Sequence, residues 1–482
     1  MEQALLSWIG ALTSIRTEVF WVLGATLSGL VSIHVLLRKR EVGAAIGWIG
    51  LVWLAPLFGS ALYALFGVNR VTRRAQKLRI KPSQASPRRA DGAPPPPPVL
   101  PERFQPLDQA VRRITSLPLE AGNRIVPLRN GDAVYPAMLT AIREAQHSIA
   151  LSSYIFRKDE IGRAFLDALE DAHHRGVAVR VLVDGIGSGY FFASVYGGLR
   201  RRGVPVGRFM HSVLPWRMPF LNLRTHKKLL ILDGREAFTG GLNISQPNRL
   251  RTRPDHPIRD THFHVAGPVV EQLMLAFSAD WAFADGGALE GPDWFPDLQP
   301  VGESIARVVV SGPDADVEKI EFVILQALAC ARSSVRFVTP YFLPDEVVMN
   351  ALILASQRGI TVDIVIPRIS DHHFIDWATR AHIAPLLRNG VRIWLDEPPF
   401  DHSKAMVVDG AWCFVGSANW DMRSFRLNFE LNVEIHDAAL AAQLEAFIRA
   451  KMETPLTLDA INARVLPVRL RDAGVRLLLP YL

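Results

Sequence analysis

The chain has 482 residues, a formal net charge of +7 at neutral pH, and a hydrophobic fraction of 49%. This length predicts more than one domain, and the apolar fraction is on the high side for a globular protein, as a membrane segment would make it. The chain has only two cysteines, Cys330 and Cys413, which are too few for a framework of disulfide bonds. This cysteine content is compatible with a protein that folds in a reducing compartment.

Two uncharged apolar runs, 19–37 and 42–68, open the chain. At 1.5 Å per residue the first would be roughly 28 Å long, about one hydrocarbon core. A second run follows it at once and no clear cleavage site separates them, so a signal peptide is not expected. We predict a two-segment transmembrane region over 1–69, with the N-terminus and the following basic tail on the cytoplasmic side. A re-entrant second run remains open, because Pro56 interrupts it.

A basic and proline-rich linker is predicted over 70–118. Residues 70–90 hold eight Lys and Arg and no acid, so removing them from the total of +7 leaves about −1 for the rest of the chain. Such a segment beside a membrane span is typical of contact with anionic lipid headgroups, although a solvated tail that only sets topology is the alternative. A body this near to neutral argues against a nucleic-acid partner.

The body is predicted to be a duplication with halves at 119–298 and 299–482. In the first half, strand patterns at 147–154 and 177–183 flank a helix pattern at 161–174; in the second, strands at 335–341 and 360–366 flank a helix at 346–357. These units favour a mixed α/β sheet covered by helices. Tyr154 and Tyr341 hold matching places. The aromatic-rich insertion 187–222 either contacts lipid or is an ordinary core edge.

One motif occurs in both halves with equal spacing. His226, Lys228 and Asp233 recur as His402, Lys404 and Asp409, and Asn243 and Asn419 follow at the same distance. Alternation along a strand places each His and Lys on one face, toward a cleft. Two imidazoles supply a nucleophile and a general acid, while lysines and amides hold the oxygens of a phosphodiester. The residues alone do not rank the two histidines.

The paired motif resembles the phospholipase D superfamily. The strings SSYIFRKDEIGRAFLDAL, TPYFLPDEVVMNAL and NFELNVEI, together with the N-terminal apolar segment, resemble the bacterial cardiolipin synthases. The resemblance implies two pseudo-twofold-related halves that meet at one cleft. It also implies a multi-pass enzyme of the bacterial inner membrane with its catalytic domain in the cytoplasm.

The implied reaction is phosphatidyl transfer between two phosphatidylglycerol molecules through a phosphohistidine. In it His226 attacks, His402 is the general acid, and a carboxylate downstream of each motif orients an imidazole. The predicted catalytic set is His226, Lys228, Asp233, His402, Lys404 and Asp409; the substrate contacts are Asn243, Asn419 and Ser417; and the orienting carboxylates are Asp260 and Glu430. Of these, Asp233 and Asp409 are expected to be structural anchors rather than chemical participants. A serine contact to phosphate is expected only in the second half, because the first has Gly241 there.

No cofactor or metal is predicted. The pairs His262/His264 and His372/His373 lack further ligands at metal-binding spacing. The alternative activity is a membrane-bound phospholipase D that hydrolyses phospholipid to phosphatidic acid or transfers the phosphatidyl group to another alcohol. A lipid-binding scaffold without activity is the alternative of a different class, and two intact motifs argue against it. Oligomeric state is not predicted.

Overall fold

The computed structural model describes residues 2–38, 42–67, 98–189, 194–209, 224–285, 287–313 and 316–477. These residues fall into two compact units: an N-terminal unit made of the first two ranges, and a body that begins at residue 98. The predicted basic tail lies outside the described residues, as does most of the aromatic insertion. Within that insertion a helix at Ser194–Arg201 and a strand at Val206–Phe209 are described.

The N-terminal unit contains α1 (Glu2–Arg38), α2 (Val42–Leu54), α3 (Pro56–Leu62) and a π-helical turn (Tyr63–Gly67). Among the described residues, one helical segment, Glu18–Arg38, is long and apolar enough to cross a membrane. The second apolar run is broken before Pro56, because proline lacks an N–H and disfavours helix in the residue before it. The 13 residues of α2 span roughly 20 Å, less than a hydrocarbon core.

Polar groups tie the broken run to α1. The Ser28 hydroxyl donates to the Val52 carbonyl at 2.5 Å, and the Trp53 indole N–H donates to the Ser32 hydroxyl at 3.2 Å. Within the broken run, α3 packs closely on α2, since a Cβ on Gly59 would lie 2.7 Å from the Leu51 carbonyl oxygen. Satisfying polar groups internally in this way is what an apolar surrounding requires.

The body is built on one mixed sheet that contains fifteen of the described strands. The described strands are β1 (Glu120–Arg129), β2 (Ser148–Ser153), β3 (Ala178–Asp184), β4 (Val206–Phe209), β5 (Leu229–Leu232), β6 (Glu236–Gly240), β7 (Ile258–Arg259), β8 (Thr261–Ala266), β9 (Ser304–Ser311), β10 (Ser334–Val338), β11 (Phe342–Leu343), β12 (Thr361–Pro367), β13 (Arg392–Asp396), β14 (Phe400–Asp401), β15 (Ala405–Val408), β16 (Trp412–Gly416), β17 (Trp420–Asp421), β18 (Glu430–His436) and β19 (Thr454–Leu456).

The order of strands in the sheet is β19-β13-β12-β10-β15-β16-β18-β9-β1-β8-β6-β5-β2-β3-β4. Strands β9 and β1 pair at its middle, and the order outward from β1 matches the order outward from β9, with β19 added at one edge.

Helices pack against this sheet, and the strand–helix–strand units predicted in both halves are confirmed. The helices of the body are α4 (Gln105–Thr115), α5 (Asn130–Glu144), α6 (Glu160–His174), α7 (Ser194–Arg201), α8 (Val269–Asp285), α9 (Lys319–Cys330), α10 (Glu346–Gln357), α11 (His373–His382), α12 (Ala384–Arg388), α13 (Met422–Arg426), α14 (Ala438–Arg449), α15 (Leu458–Asn462) and α16 (Leu466–Arg476). Side chains Asp159 and Asp345 cap α6 and α10, which fixes where those two helices begin. The fold is therefore a mixed α/β fold, as predicted.

The end of the predicted linker is folded rather than extended. Helix α4 lies within 70–118, and its Leu107 and Val111 are buried together with Phe104 in the hydrophobic core of the second half. Their helical spacing explains this, since it places all three side chains on one face of the chain. The folded body therefore begins within the predicted linker, since Leu100 is also buried in this core.

Candidate active site

The two motif histidines lie opposite each other in one cleft. The ring centroids of His226 and His402 are 6.4 Å apart, and the rings are nearly perpendicular. Each histidine lies three residues before a central strand, β5 or β15, and both are buried. A tetrahedral phosphorus between them would be within reach of both rings, the geometry that displacement at a phosphodiester needs.

Each imidazole is held by a carboxylate from the other half of the body. His226 Nδ1 lies 3.0 Å from Glu430 Oε2, and His402 Nδ1 lies 2.9 Å from Asp260 Oδ2. The backbone produces this crossing. The His226 N–H donates to the carbonyl of Phe429 at 2.8 Å, directly before Glu430. The His402 N–H likewise donates at 2.7 Å to the carbonyl of the residue before Asp260. Because Nδ1 of each ring is engaged by a carboxylate, Nε2 is the ring nitrogen left to meet a substrate.

The motif lysines are buried beside the rings. Lys228 Nζ donates to the His226 carbonyl at 2.7 Å, and Lys404 Nζ donates to the His402 carbonyl at 2.6 Å. Lys404 Nζ also lies 3.0 Å from both nitrogens of the His402 ring. Burial lowers the pKa of Lys228 to about 7 and that of Lys404 to about 8, against the opposing carboxylates. An anion in the cleft would favour the charged form of both, so the pair is suited to holding phosphate oxygens.

The two carboxylates differ in electrostatics. Burial raises the pKa of Asp260 to about 8, against the opposing charge of Lys404. Burial alone would raise the pKa of Glu430 as well, but its contacts with His226, a lysine and a hydroxyl outweigh burial and lower the pKa to about 2. Burial also lowers the pKa of both histidines, that of His226 to about 4. The resting cleft therefore contains neutral imidazoles, an ionised Glu430 and a protonated Asp260.

The predicted substrate contacts have different surroundings. Asn243 Oδ1 accepts the Ile155 N–H at 3.2 Å, which leaves its amide NH₂ as a donor. The buried Asn419 Oδ1 has no hydrogen-bond partner within the part of the chain that the structure describes. The Ser417 hydroxyl donates to Glu430 at 2.5 Å, and its contact with phosphate stays a prediction. Its counterpart must be glycine, because a Cβ on Gly241 would lie 2.3 Å from an Asp260 oxygen.

The two motif aspartates lie away from the cleft. This position agrees with the expectation that they are structural anchors, although they were named together with the catalytic residues. Asp233 and Asp409 follow the far ends of β5 and β15, in left-handed conformations with φ of 51°. Asp233 accepts three backbone N–H groups at 146–148, and Asp409 accepts three at 332–334. Each aspartate thus ties a hairpin turn to the start of a neighbouring strand, β2 or β10.

Replacing Asp409 by alanine should lower the free energy of unfolding by about 1–3 kcal/mol, because the three backbone donors lose their acceptor. Burial opposes ionisation of this carboxyl, but those donors outweigh it and lower its pKa. The stabilisation that Asp409 contributes should therefore be fully present above about pH 4, the pKa of this carboxyl in the unfolded chain. It should disappear as the pH falls through the lower pKa that the carboxyl has in the folded protein. Denaturant unfolding in detergent measures both effects, with the exposed Asp255→Ala as control. A loss of turnover with unchanged stability would contradict the structural role.

Two tyrosines form matching walls beside the imidazoles. The ring centroid of Tyr154 is 5.0 Å from that of His226, and that of Tyr341 is 6.1 Å from that of His402, both edge to face. Their matching places in the sequence therefore reflect matching places in the cleft.

The partners of these tyrosines were not predicted from the sequence. Arg224 donates to the Tyr154 hydroxyl at 2.5 Å, whereas the Tyr341 hydroxyl donates to Asp371 at 2.6 Å. The cleft is thus lined by a cation near His226 and by a carboxylate near His402. Arg224 could have been predicted from strand alternation. It lies two residues before His226, so its side chain is expected on the same face as the imidazole.

The other histidine pairs do not form metal-ligand groups. Within the described ranges, no three His, Cys, Asp or Glu side chains come together as a metal site would require. His264 Nε2 lies 2.7 Å from Glu236, while His262 is buried opposite Gly240 in the adjacent strand. The ring of His372 packs beside Tyr341.

Comparison with known proteins agrees with this geometry. Residues 138–281 and 324–452 match the family described as the cardiolipin synthase, PLD-like domain. The chain is 31% identical to the cardiolipin synthase of Geobacillus kaustophilus (strain HTA426), over 98% of this chain and 97% of that protein. It is also 31% identical to the major cardiolipin synthase ClsA of Bacillus subtilis (strain 168), over 98% of this chain and 100% of that protein.

The crystal structure of the phosphatidylserine synthase of Haemophilus influenzae Rd KW20 superposes with a TM-score of 0.58 at 15% identity, over 78% of this chain and 100% of that one. That likeness shows the fold. The family match covers more than half of the chain in two segments, and the relatives extend over nearly all of it. The chain therefore belongs to the cardiolipin synthase family with its duplicated PLD-like domain.

Proposed function

We propose that the protein is a cardiolipin synthase that transfers a phosphatidyl group from one phosphatidylglycerol to another, giving cardiolipin and glycerol. The observation that carries the proposal is the pair of buried imidazoles, 6.4 Å apart, each with a lysine beside it and a carboxylate from the other half behind it. A phosphodiester needs this set: a nucleophile, an acid and fixed cations.

In the first step His226 Nε2 attacks phosphorus and forms a P–N bond. The P–O bond to the glycerol headgroup breaks, and His402 Nε2–H donates its proton to the departing oxygen. Lys228 and Lys404 hold the non-bridging oxygens, with Asn243 and Asn419 as further donors. The product of this step is a phosphatidyl-histidine, and free glycerol leaves.

In the second step a glycerol hydroxyl of another phosphatidylglycerol takes the place of the departed glycerol. His402 Nε2 accepts the proton of that hydroxyl while its oxygen attacks phosphorus. The P–N bond to His226 breaks, and cardiolipin is released with the enzyme in its starting state.

The electrostatics support this division of roles. With Glu430 ionised and His226 neutral, the Nδ1–H of His226 points at the carboxylate and Nε2 keeps a free electron pair for attack. Because its pKa is raised, Asp260 keeps its proton near neutral pH, so Asp260 and His402 together hold one proton more than an ionised Asp260 would allow. That pair can therefore supply the proton that the departing glycerol takes.

We further propose the predicted domain organisation, with the difference that the folded body begins within the predicted linker. Halves at 119–298 and 299–482 are then related by a pseudo-twofold axis, which the mirrored strand order supports. Two membrane segments within 1–69 anchor the enzyme in the bacterial inner membrane. The basic residues 70–90 favour a cytoplasmic catalytic domain in contact with anionic lipids.

The test is to give the purified full-length protein phosphatidylglycerol as the sole lipid in mixed micelles. Cardiolipin and glycerol should appear in equal amounts, and activity should stay within about twofold after treatment with a strong chelator, because the proposed chemistry uses lysines where a metal enzyme uses a cation. Phosphatidic acid without cardiolipin would support the hydrolytic phospholipase D instead. Activity lost on chelation and restored by one divalent metal would contradict the metal-free reaction.

A further inference from the structure

The last described helix, α16, is buried on one side and exposes leucines on the other. Its inner face packs on α11 and includes Asp472, which is 1% exposed and paired with Arg464 and Arg471. On the opposite side Leu466, Leu470 and Leu477 are 65%, 63% and 76% exposed. At 100° per residue these three leucines lie within about 40° of each other around the helix.

Positive charge accompanies the outward leucines. Arg469 and Arg476 are exposed beside them, and the acid of this helix, Asp472, is turned inward. An exposed apolar row flanked by arginines is the pattern of a helix that lies in the interface of an anionic bilayer. A face that met only water would not gain from exposed leucines.

The neighbouring helix extends this face. Phe374 at the start of α11 is 57% exposed, and Ile369 just before that helix is 53% exposed. A groove of about 390 Å³ lies between α11 and α16. Its polar lining includes Arg368, Arg380, Arg464 and Arg471, together with Asp376, Asp472 and the imidazole of His373. Arg368 is also paired with Glu397, so the four guanidinium groups exceed the three carboxylates by one. This small positive excess is compatible with anionic headgroups.

The same face borders the catalytic cleft. The ring of His372, adjacent to α11, is 5.7 Å from that of Tyr341, which is itself 6.1 Å from that of His402. The exposed Phe374 follows His372 by two residues. The apolar and basic face therefore begins where a headgroup would reach His402.

We propose that this C-terminal face, made of the outward side of α16 and the start of α11, docks on the surface of an anionic phospholipid bilayer. Docking would turn the His402 side of the cleft toward the headgroups; this orientation rests on the proposed lipid substrate. A single row of leucines with arginines along its flank fits a bilayer better than a folded protein partner, whose interface would need a broader apolar patch.

The position of the face can be measured without reference to the reaction. A bimane label is placed on Leu470→Cys in full-length protein carrying Cys330→Ser, since Cys413 is buried. The matched control is Leu354→Cys on α10, 57% exposed. In vesicles of phosphatidylglycerol and phosphatidylcholine, doxyl-labelled lipid should quench the label at 470 several-fold more than that at 354, and less so in phosphatidylcholine alone. Equal quenching at the two sites, or shielding at 470 that follows self-association in detergent, would overturn the proposal.

The catalytic consequence is tested with paired charge substitutions. Leu466→Glu with Leu470→Glu should lower the rate on vesicle phosphatidylglycerol about tenfold and leave the rate in mixed micelles within about twofold. Val347→Glu with Leu354→Glu, on equally exposed positions of α10, should change neither rate. Equal losses on vesicles and micelles would indicate a structural defect and overturn the proposal. If wild-type protein forms no cardiolipin, the proposed function fails, while the quenching result still decides the docking.

Discussion

Replacing either His226 or His402 by alanine is expected to reduce cardiolipin formation by more than about a thousandfold, because nucleophile and acid act as one unit. Steady-state rates in mixed micelles measure the loss. His174→Ala, on the exposed end of α6, is the matched control and should be unchanged. Retention of more than a few per cent of activity by either variant would contradict the two-histidine reaction.

A substrate with a good leaving group separates the two histidines. A nitrophenyl phosphodiester needs no proton from an acid, so His402→Ala should still release one nitrophenolate per enzyme and accumulate a phosphohistidine. His226→Ala should release none. The reverse pattern would exchange the two roles and leave the overall reaction intact.

The second large effect on activity is expected from Glu430 and Asp260, the carboxylates that each contact the histidine of the other half. Glu430→Gln and Asp260→Asn should each lower turnover by about a hundredfold or more, for different reasons. A glutamine amide at 430 would donate to His226 Nδ1 and stabilise the tautomer that has no free electron pair on Nε2, whereas an asparagine amide at 260 could not supply the proton that Asp260 gives to His402. With the nitrophenyl substrate the two variants should differ: Glu430→Gln should lose the burst, since Glu430 holds His226, while Asp260→Asn should keep it. Glu236→Gln, beside the non-catalytic His264, is the control.

The opposite result is equally informative. If Asp260→Asn abolished the burst and Glu430→Gln preserved it, each carboxylate would serve the histidine of its own half, contrary to the contacts in the structure. A stability loss common to both variants would appear in unfolding midpoints and can be separated from the burst.

The sequence predicted what depends on local geometry. Equal spacing of His226 and Lys228 with His402 and Lys404 was enough to place four side chains at one cleft, because strand alternation is a property of a few consecutive residues. The pairing of Glu430 with His226 could not be predicted this way. It depends on contacts between segments about 200 positions apart, and no local pattern encodes them.

The boundaries of elements show the same limit. Pro56 carried the signal that breaks the second apolar run, and the spacing of Phe104, Leu107 and Val111 carried the signal of α4. The proline-rich composition just before α4 outweighed that spacing, so the folded segment was assigned to the linker. The helix capped by Asp345 begins and ends at the predicted residues, and the helix capped by Asp159 begins one residue before its predicted start.

The crossed contacts also bear on biosynthesis. When the ribosome has completed the first half, His226 exists but Glu430 has not yet been made, and Asp260 has no imidazole to hold. In the proposed two-histidine reaction, a chain that ends before the second half would lack both the general acid and the carboxylate that orients His226. Catalysis would then begin only when the segments that carry His402 and Glu430 have folded against the first half.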